Sequence, residues 1–183
     1  GVQSPTPNYI WNKKKVNAGW ITTFNEYAVV SENRLTSISK NFDLKTAALF
    51  GCAITSGFGA VNNDAKVKIG QSVLIYGLGG MGLSIADACS MVSANPIVGI
   101  DIHESKLELS KKFGVTHTII NKDNDYVKKK INDIFGEKGP EVVFETTGNS
   151  KLMEHAYEVT PNDGKTVYVG VPNVKISIYS LPL

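Results

Sequence analysis

The stretch GQSVLIYGLGGMGLSIADACS, residues 70–90, decides the fold of this 183-residue chain. Its first part, QSVLIY, is a short apolar run rich in β-branched residues, which is typical of a buried strand. A glycine-rich turn, GLGGMG at 77–82, follows this run and leads into a segment with apolar residues at helical spacing. A strand, a G-x-G-x-x-G turn and a helix in this order predict a dinucleotide-binding βαβ unit.

Further strands and helices alternate on the C-terminal side of this unit. Strands are predicted at 96–101, 117–121, 141–146 and 166–171, and 175–180 alternates in the manner of an edge strand. Helices of about ten residues between the strands imply right-handed crossovers and therefore a parallel sheet. The predicted fold class is α/β, with a doubly wound parallel sheet of the Rossmann type.

The chain before residue 65 does not show this regular alternation of strands and helices. Residues 1–20 contain two prolines and a lysine run, and they predict an irregular lead-in. The segments 21–30 and 34–39 each predict a strand. Asp43 is expected to cap a helix that begins DLKTAALF, and the small residues of ITSGFGAV predict a helix packed closely against another backbone.

Composition and charge restrict the class of protein. The chain is 42% hydrophobic and 20% charged, as folded globular proteins are, and its net charge is only +2. With a single arginine, Arg34, this charge argues against a nucleic-acid-binding surface. No uninterrupted apolar run approaches the roughly twenty residues of a membrane span, and no secretory leader is recognised. Two cysteines cannot form a disulfide framework, so a reducing, cytoplasmic location is expected.

The glycines and a nearby acid have separate expected roles. Gly77 would make a tight turn, Gly79 would let a pyrophosphate approach the backbone, and Gly82 would let the helix lie close to the strand. The next strand ends at Asp101, nineteen residues after Gly82, where a carboxylate can accept both hydroxyls of an adenosine ribose. That carboxylate would repel a 2′-phosphate, which favours NAD over NADP. The alternatives are that Asp101 only caps the following helix, or that the pattern belongs to a methyltransferase, whose loop is usually looser.

Five stretches of the sequence, one of which contains this loop, carry a wider resemblance. They are GCAITSGFGAV (51–61), AKVKIGQSVLIYGLGGMGLS (65–84), VGIDIHESKLELSKKFG (98–114), VVFETTGN (142–149) and VYVGVP (167–172). In this order they resemble the zinc-containing alcohol dehydrogenases of the medium-chain dehydrogenase/reductase family. The resemblance implies that residues 1–50 are a remnant of a GroES-like catalytic domain and its connection. It implies equally that residues 51–183 are an NAD-binding Rossmann domain truncated before its last strand.

The resemblance also implies which residues act. Cys52 corresponds to the third protein ligand of the catalytic zinc, although a free cysteine is more often a small buried hydrophobe. Ser56 corresponds to a hydroxyl residue behind the nicotinamide ring, and it is the catalytic candidate. The positions that correspond to cofactor-binding residues are Gly77, Gly79, Gly80, Met81, Gly82, Asp101, Ile102, Lys106, Thr146, Thr147, Val169, Gly170 and Val171.

The function that the resemblance implies is hydride transfer between NAD and a small alcohol or aldehyde in a longer, oligomeric enzyme (dimer or tetramer), with no nucleic-acid or membrane partner. Zinc would polarise the substrate oxygen there. This chain alone is expected to be inactive, because His103, His117 and His155 (the last placed on a surface helix) share no spacing with Cys52. Two alternatives remain: a zinc-independent quinone or enoyl reductase using NADPH, against which Cys52 and Asp101 argue, and a non-catalytic dinucleotide-binding module.

Overall fold

In the computed structural model, which describes residues 9–16, 26–28 and 30–179, the chain divides into the units Gly1–Phe42 and Asp43–Leu183. The sequence placed its domain boundary after residue 50. The difference arises because the helix that starts at Leu44 belongs with the C-terminal unit. The identification of residues 1–50 as a remnant of a catalytic domain stays a prediction.

The first unit contains a hairpin where an irregular lead-in was expected. Strands β1 (Tyr9–Trp11) and β2 (Lys14–Val16) pair antiparallel. Asn12 and Lys13 connect them, both with positive φ, as in the two-residue turns whose twist suits a hairpin. The irregular assignment is therefore wrong for these residues, and Asn12 was the signal for the turn.

The two strands predicted in the remainder of this unit are not observed. A 3-10 helix occupies Glu32–Arg34, and residues 35–39 have no regular structure, so the strand predicted at 34–39 is wrong. Of the strand predicted at 21–30, residues 26–28 and 30 are not extended in a sheet, and the others lie outside the described residues. An alternating segment forms a strand only when a neighbour accepts its backbone hydrogen bonds, and the described part of the chain provides none here.

The second unit is built on a five-stranded parallel sheet, which confirms the predicted fold class. The strand order is β5-β4-β3-β6-β7. Because the chain proceeds outward from β3 first to one side and then to the other, a crevice opens beyond the carboxyl ends of β3 and β6. The strands are β3 (Val73–Tyr76), β4 (Ile97–Asp101), β5 (His117–Ile120), β6 (Val142–Glu145) and β7 (Lys165–Tyr168).

Helices cover both faces of this sheet. On one face Val73 and Ile75 of β3 pack in a cluster with Ile85 and Cys89 of helix α3. On the other face alternate residues of β3 pack in a second cluster, with residues of the helices that follow β5 and β6. Cys89 is thus a packed core residue, as expected, and burial raises the pKa of its thiol to about 12. The helices after the strands are α3 (Gly80–Met91), α4 (Glu104–Ser110), α5 (Asn124–Phe135) and α6 (Ser150–Glu158).

Two short helices precede the sheet, α1 (Leu44–Phe50) and α2 (Ala53–Gly59), and a π-helix, Ala60–Ala65, continues α2. The Asp43 side chain accepts hydrogen bonds from the backbone N–H groups of Lys45 and Thr46, so the predicted cap is confirmed. The close approach of ITSGFGAV to another backbone is confirmed as well. A Cβ atom at Gly57 would lie 2.6 Å from the Cβ of Ser84 on α3.

The stretch Leu44–Ala65 is long and apolar enough to cross a membrane by length and composition alone, with a mean hydropathy of 1.4. The sequence-based expectation considered only uninterrupted apolar runs and therefore did not find it. In the fold the stretch is not one straight helix, because the turn at Gly51 and Cys52 separates α1 from α2. Helix α2 packs against α3, as a helix of a globular domain does.

The edge strand predicted at 175–180 is wrong for residues 175–179, which have no regular structure. These residues contact a helix instead of pairing in a sheet. The backbone N–H of Ser177 donates to a carboxylate oxygen of Glu154 on α6, at 2.8 Å. Ser180 lies outside the described residues.

Candidate functional site

The glycine-rich turn after β3 has the geometry that its sequence predicts. Gly77 has φ +87°, and a Cβ there would lie 2.7 Å from the Thr146 hydroxyl, so the tight turn requires glycine. A Cβ at Gly82 would lie 1.8 Å from the Gly77 carbonyl oxygen, which confirms the close packing of helix on strand. A Cβ at Gly79 would have no atom within 4 Å, so this face of the turn is open. The role of Gly79 toward a pyrophosphate stays a prediction.

Helix α3 points its N-terminus toward this open face. Gly79 is the N-cap residue and has no side chain, so no side-chain cap occupies the N–H groups of the first turn. The first intrahelical hydrogen bond runs from the Leu83 N–H to the Gly79 carbonyl. The free N–H groups and the positive end of the helix dipole together favour an anion at this point.

Asp101 closes the same crevice from the end of β4. One oxygen of its carboxylate accepts the Leu78 N–H at 2.9 Å, and the other accepts the His103 N–H at 3.0 Å. The Nζ of Lys106 lies 3.7 Å from the first of these oxygens. The carboxylate accepts no backbone N–H group of α4 itself and holds the Leu78 N–H of the glycine-rich turn, so the alternative that it only caps that helix is wrong. Each carboxylate oxygen has two lone pairs, which leaves acceptor capacity for a ligand.

The opposite wall is the connection between β6 and α6. The Thr146 hydroxyl donates to the carbonyls of Tyr76 and Gly77, at 2.9 and 3.0 Å. Glu145 is completely buried, and its carboxylate accepts the N–H groups of Thr147 and Gly148 and the Thr147 hydroxyl. These bonds fix the wall rigidly. Sequence reasoning missed Glu145, although an acid that ends the apolar run EVVFE was a signal for a buried carboxylate.

These walls enclose a groove of about 710 Å³ at the carboxyl ends of the strands. The groove also contains polar residues that the sequence did not single out, among them Asn149 and Lys151 at the start of α6. Gly82 lies behind the turn and is buried. The predicted residues that line the groove are Gly77, Gly79, Gly80, Met81, Asp101, Ile102, Lys106, Thr146 and Thr147.

The catalytic candidate Ser56 and the remaining predicted cofactor residues lie elsewhere. Ser56 and Val169 line a second cavity, of about 400 Å³, between α2 and the end of β7. Gly170 packs on the backbone of Gly148, where a Cβ would lie 2.2 Å from the amide nitrogen. Val171 is 88% exposed. The structure therefore brings nine of the predicted cofactor-binding residues, Met81 among them, into one groove. It leaves Val169, Gly170, Val171 and the catalytic candidate Ser56 outside that groove.

The described residues do not form a zinc site. Cys52 is exposed at the N-terminus of α2, and in the described part of the chain no three His, Cys, Asp or Glu side chains are placed to share a metal ion. His103 and His117 are exposed. His155 lies on α6, which has an exposed face as predicted, but its side chain is on the buried face of that helix, with Nδ1 2.9 Å from the Tyr76 hydroxyl. A tetrahedral zinc with three protein ligands does not fit these residues.

Comparison with known proteins identifies the family. The profile described as zinc-binding dehydrogenase matches residues 77–183, which is more than half of the chain. The chain belongs to the zinc-binding dehydrogenase family. The resemblance to the zinc-containing alcohol dehydrogenases is thereby confirmed, and the methyltransferase alternative is wrong.

The individual relatives of this zinc-binding dehydrogenase chain are also dehydrogenases by name. It is 36% identical to an S-(hydroxymethyl)glutathione dehydrogenase of Photobacterium damsela subsp. piscicida, over 88% of the chain and 44% of the relative. It is 36% identical to an alcohol dehydrogenase class-3 of Drosophila melanogaster, over 88% and 43%. Benzyl alcohol dehydrogenase of Acinetobacter calcoaceticus superposes with a TM-score of 0.78 at 29% identity, over 87% of this chain and 44% of that one. The chain therefore spans less than half the length of these relatives.

Proposed function

We propose that this chain is the dinucleotide-binding part of an NAD-dependent alcohol dehydrogenase. The observation that carries the proposal is the convergence of three features on one groove: the open face at Gly79, the uncapped N-terminus of α3 and the carboxylate of Asp101. A dinucleotide needs an anion site beside an acceptor for ribose hydroxyls. The alcohol dehydrogenase names of the relatives support the reaction class.

Each wall of the groove has a task in this proposal. The pyrophosphate would lie at Gly79 and Gly80 and accept hydrogen bonds from the first turn of α3. The adenosine ribose would donate to Asp101, which the Leu78 N–H already holds in place. Lys106, beside that carboxylate, would reach the same ribose. The bonds of Thr146 to the backbone of β3 would keep the opposite wall at a constant distance.

Bound NAD would supply the ring that accepts or donates the hydride. Met81 borders the groove and Ser56 the neighbouring cavity, so the ring would lie in the direction from the first to the second. We propose that substrate activation by zinc takes place in the complete enzyme, with Cys52 as one ligand, because the described residues offer no set of three ligands.

Calorimetric titration of the 183-residue chain with NAD⁺ and NADP⁺ tests the proposal. We expect NAD⁺ to bind more tightly, because Asp101 offers a charge-assisted hydrogen bond of about 1.5–3 kcal/mol to a ribose hydroxyl and repels a 2′-phosphate. The substitution Asp101→Ser should narrow the difference between the two cofactors. The matched control is Asp125→Ser, which removes the same charge from an exposed position outside the groove. Equal or tighter binding of NADP⁺ by the unsubstituted chain would contradict the assignment to NAD.

A further inference from the structure

A buried side-chain pair lies behind the groove. The hydroxyl of Tyr76 and Nδ1 of His155 are 2.9 Å apart, and the two rings meet edge to face with their centroids 5.9 Å apart. Tyr76 is 0% exposed and His155 is 3% exposed. Among the side chains that the structure describes, Nε2 of His155 is buried without a hydrogen-bond partner. A buried polar atom in this condition calls for an explanation.

The pair connects the two walls of the groove. Tyr76 is the last residue of β3, directly before the turn at Gly77, and it borders the groove. Its carbonyl accepts the N–H and the hydroxyl of Thr146 from the opposite wall. His155 lies on α6, whose first turn contributes Lys151 and Leu152 to that wall. A displacement of α6 from β3 would therefore change the width of the groove.

The surroundings of His155 favour its neutral form. Burial lowers the pKa of the imidazole, and Lys128 on α5 lowers it further, while Glu158 on α6 itself acts in the opposite direction. Burial also raises the pKa of Tyr76, with Glu145 of β6 and Glu158 contributing, so the phenol keeps its proton. From β7, Tyr168 donates to the Met153 carbonyl of α6. Tyr76 and His155 are thus two neutral side chains in contact, and the charges of Lys128, Glu145 and Glu158 act on them without forming an ion pair with either.

We propose that Tyr76 and His155 position the groove for a dinucleotide only while His155 is uncharged, so that acid weakens cofactor binding. The inference rests on the proposed function, and His155 is a positioning residue because it does not border the groove. A proton on the ring leaves a charged N–H at Nε2 in a space without an acceptor. Hydrating that group requires α6 to move away from β3, and the movement separates the walls.

The direction of the pH dependence follows from the lowered pKa. Well above the ordinary histidine value of 6.5 the ring is neutral whether or not α6 is displaced, and binding is unaffected. As the pH falls below that value, a form with α6 displaced takes up the proton more readily than the closed form does. Binding weakens over this range. By reciprocity, bound cofactor must lower the pKa of His155.

The first test is a fluorescence titration of the whole chain with NADH between pH 8 and pH 5.5. We expect the dissociation constant of the unsubstituted chain to rise more on acidification than that of His155→Gln, whose side chain takes up no proton in this range. His117→Gln is the matched control, because it removes an exposed imidazole outside the groove, and it must keep the acid response.

The second test needs no variant at the pair itself. The titration of the His155 ring is followed by NMR with and without NADH, and its midpoint should be lower with NADH bound. Equal midpoints, or pH profiles that coincide for the unsubstituted chain and His155→Gln, would overturn the inference. Failure of NADH to bind the unsubstituted chain at pH 8 would instead refute the proposed function, and the inference with it.

Discussion

The substitution Gly79→Val separates binding from folding. Gly79 has φ −75° and ψ −168°, which is extended backbone that any residue adopts, and a Cβ there meets no atom within 4 Å. We therefore expect the free energy of unfolding to change by no more than about 1 kcal/mol. The two methyl groups would nevertheless project into the groove where the pyrophosphate approaches the turn. We expect NADH affinity to fall at least about a hundredfold, which corresponds to about 2.7 kcal/mol.

The neighbouring substitution Gly82→Ala is the control, because it should lower the stability of the fold, whereas Gly79→Val should weaken binding and leave stability nearly unchanged. Its Cβ would lie 1.8 Å from the Gly77 carbonyl oxygen, so strand and helix must separate by more than an ångström. We expect a loss of about 3 kcal/mol, which lowers the melting temperature by roughly 6–12 °C. Circular dichroism measures the melting temperature, and NADH fluorescence measures binding. A Gly79→Val variant that binds NADH normally, or a Gly82→Ala variant that melts like the unsubstituted chain, would refute this reasoning.

Two further predictions concern metal and pH. After dialysis the chain should hold no stoichiometric zinc, because Cys52 alone cannot replace the water ligands of the ion. For the same reason it should not reduce NAD⁺ when primary alcohols are supplied. Stoichiometric zinc with turnover above background would show that a ligand set has been missed. Hydrogen bonds from Ser72 and Gln71 lower the pKa of Glu141, so its contribution to stability should be present above about pH 4.5 and lost on acidification. Urea denaturation at pH 7 and pH 4 should show a smaller acid-induced loss for Glu141→Gln than for the exposed control Glu137→Gln, and equal losses would rule out the contribution.

The parallel sheet was predictable because its three central strands, β4, β3 and β6, are buried on both faces. A strand such as VLIY at 73–76 must be apolar throughout, and glycines mark both of its ends. The hairpin at 9–16 and the absence of strands at 34–39 and 175–179 were not predicted. In those segments the backbone conformation depends on which partner accepts its hydrogen bonds, and a local pattern does not contain that information.

The part of the candidate site that rests on local sequence features was predictable, and the part that rests on tertiary contacts was not. Glycines and an acid at fixed spacing are local features, and the groove brings Gly79 and Asp101 together as expected. The bond between Tyr76 and His155 joins residues 79 positions apart, and nothing near either residue indicates the other. The buried carboxylate of Glu145 likewise depends on backbone donors that only the folded connection provides. Residues that bind a ligand can therefore be predicted from sequence motifs, whereas the residues that hold those motifs in place are recognised only from tertiary contacts.

The central position of β3 has a consequence for synthesis on the ribosome. One of its neighbours, β4, follows within 24 residues, as in the pair Val73 and Ile97, but the pair Val73 and Val142 is separated by 69 residues. Until β6 has left the exit tunnel, the nascent chain has an apolar strand with one open edge, which invites association with other chains. The sheet cannot be completed before both β6 and β7 have emerged. The translation rate over residues 100–145, or a chaperone that covers β3 during that interval, should therefore determine how much of the chain reaches the soluble state.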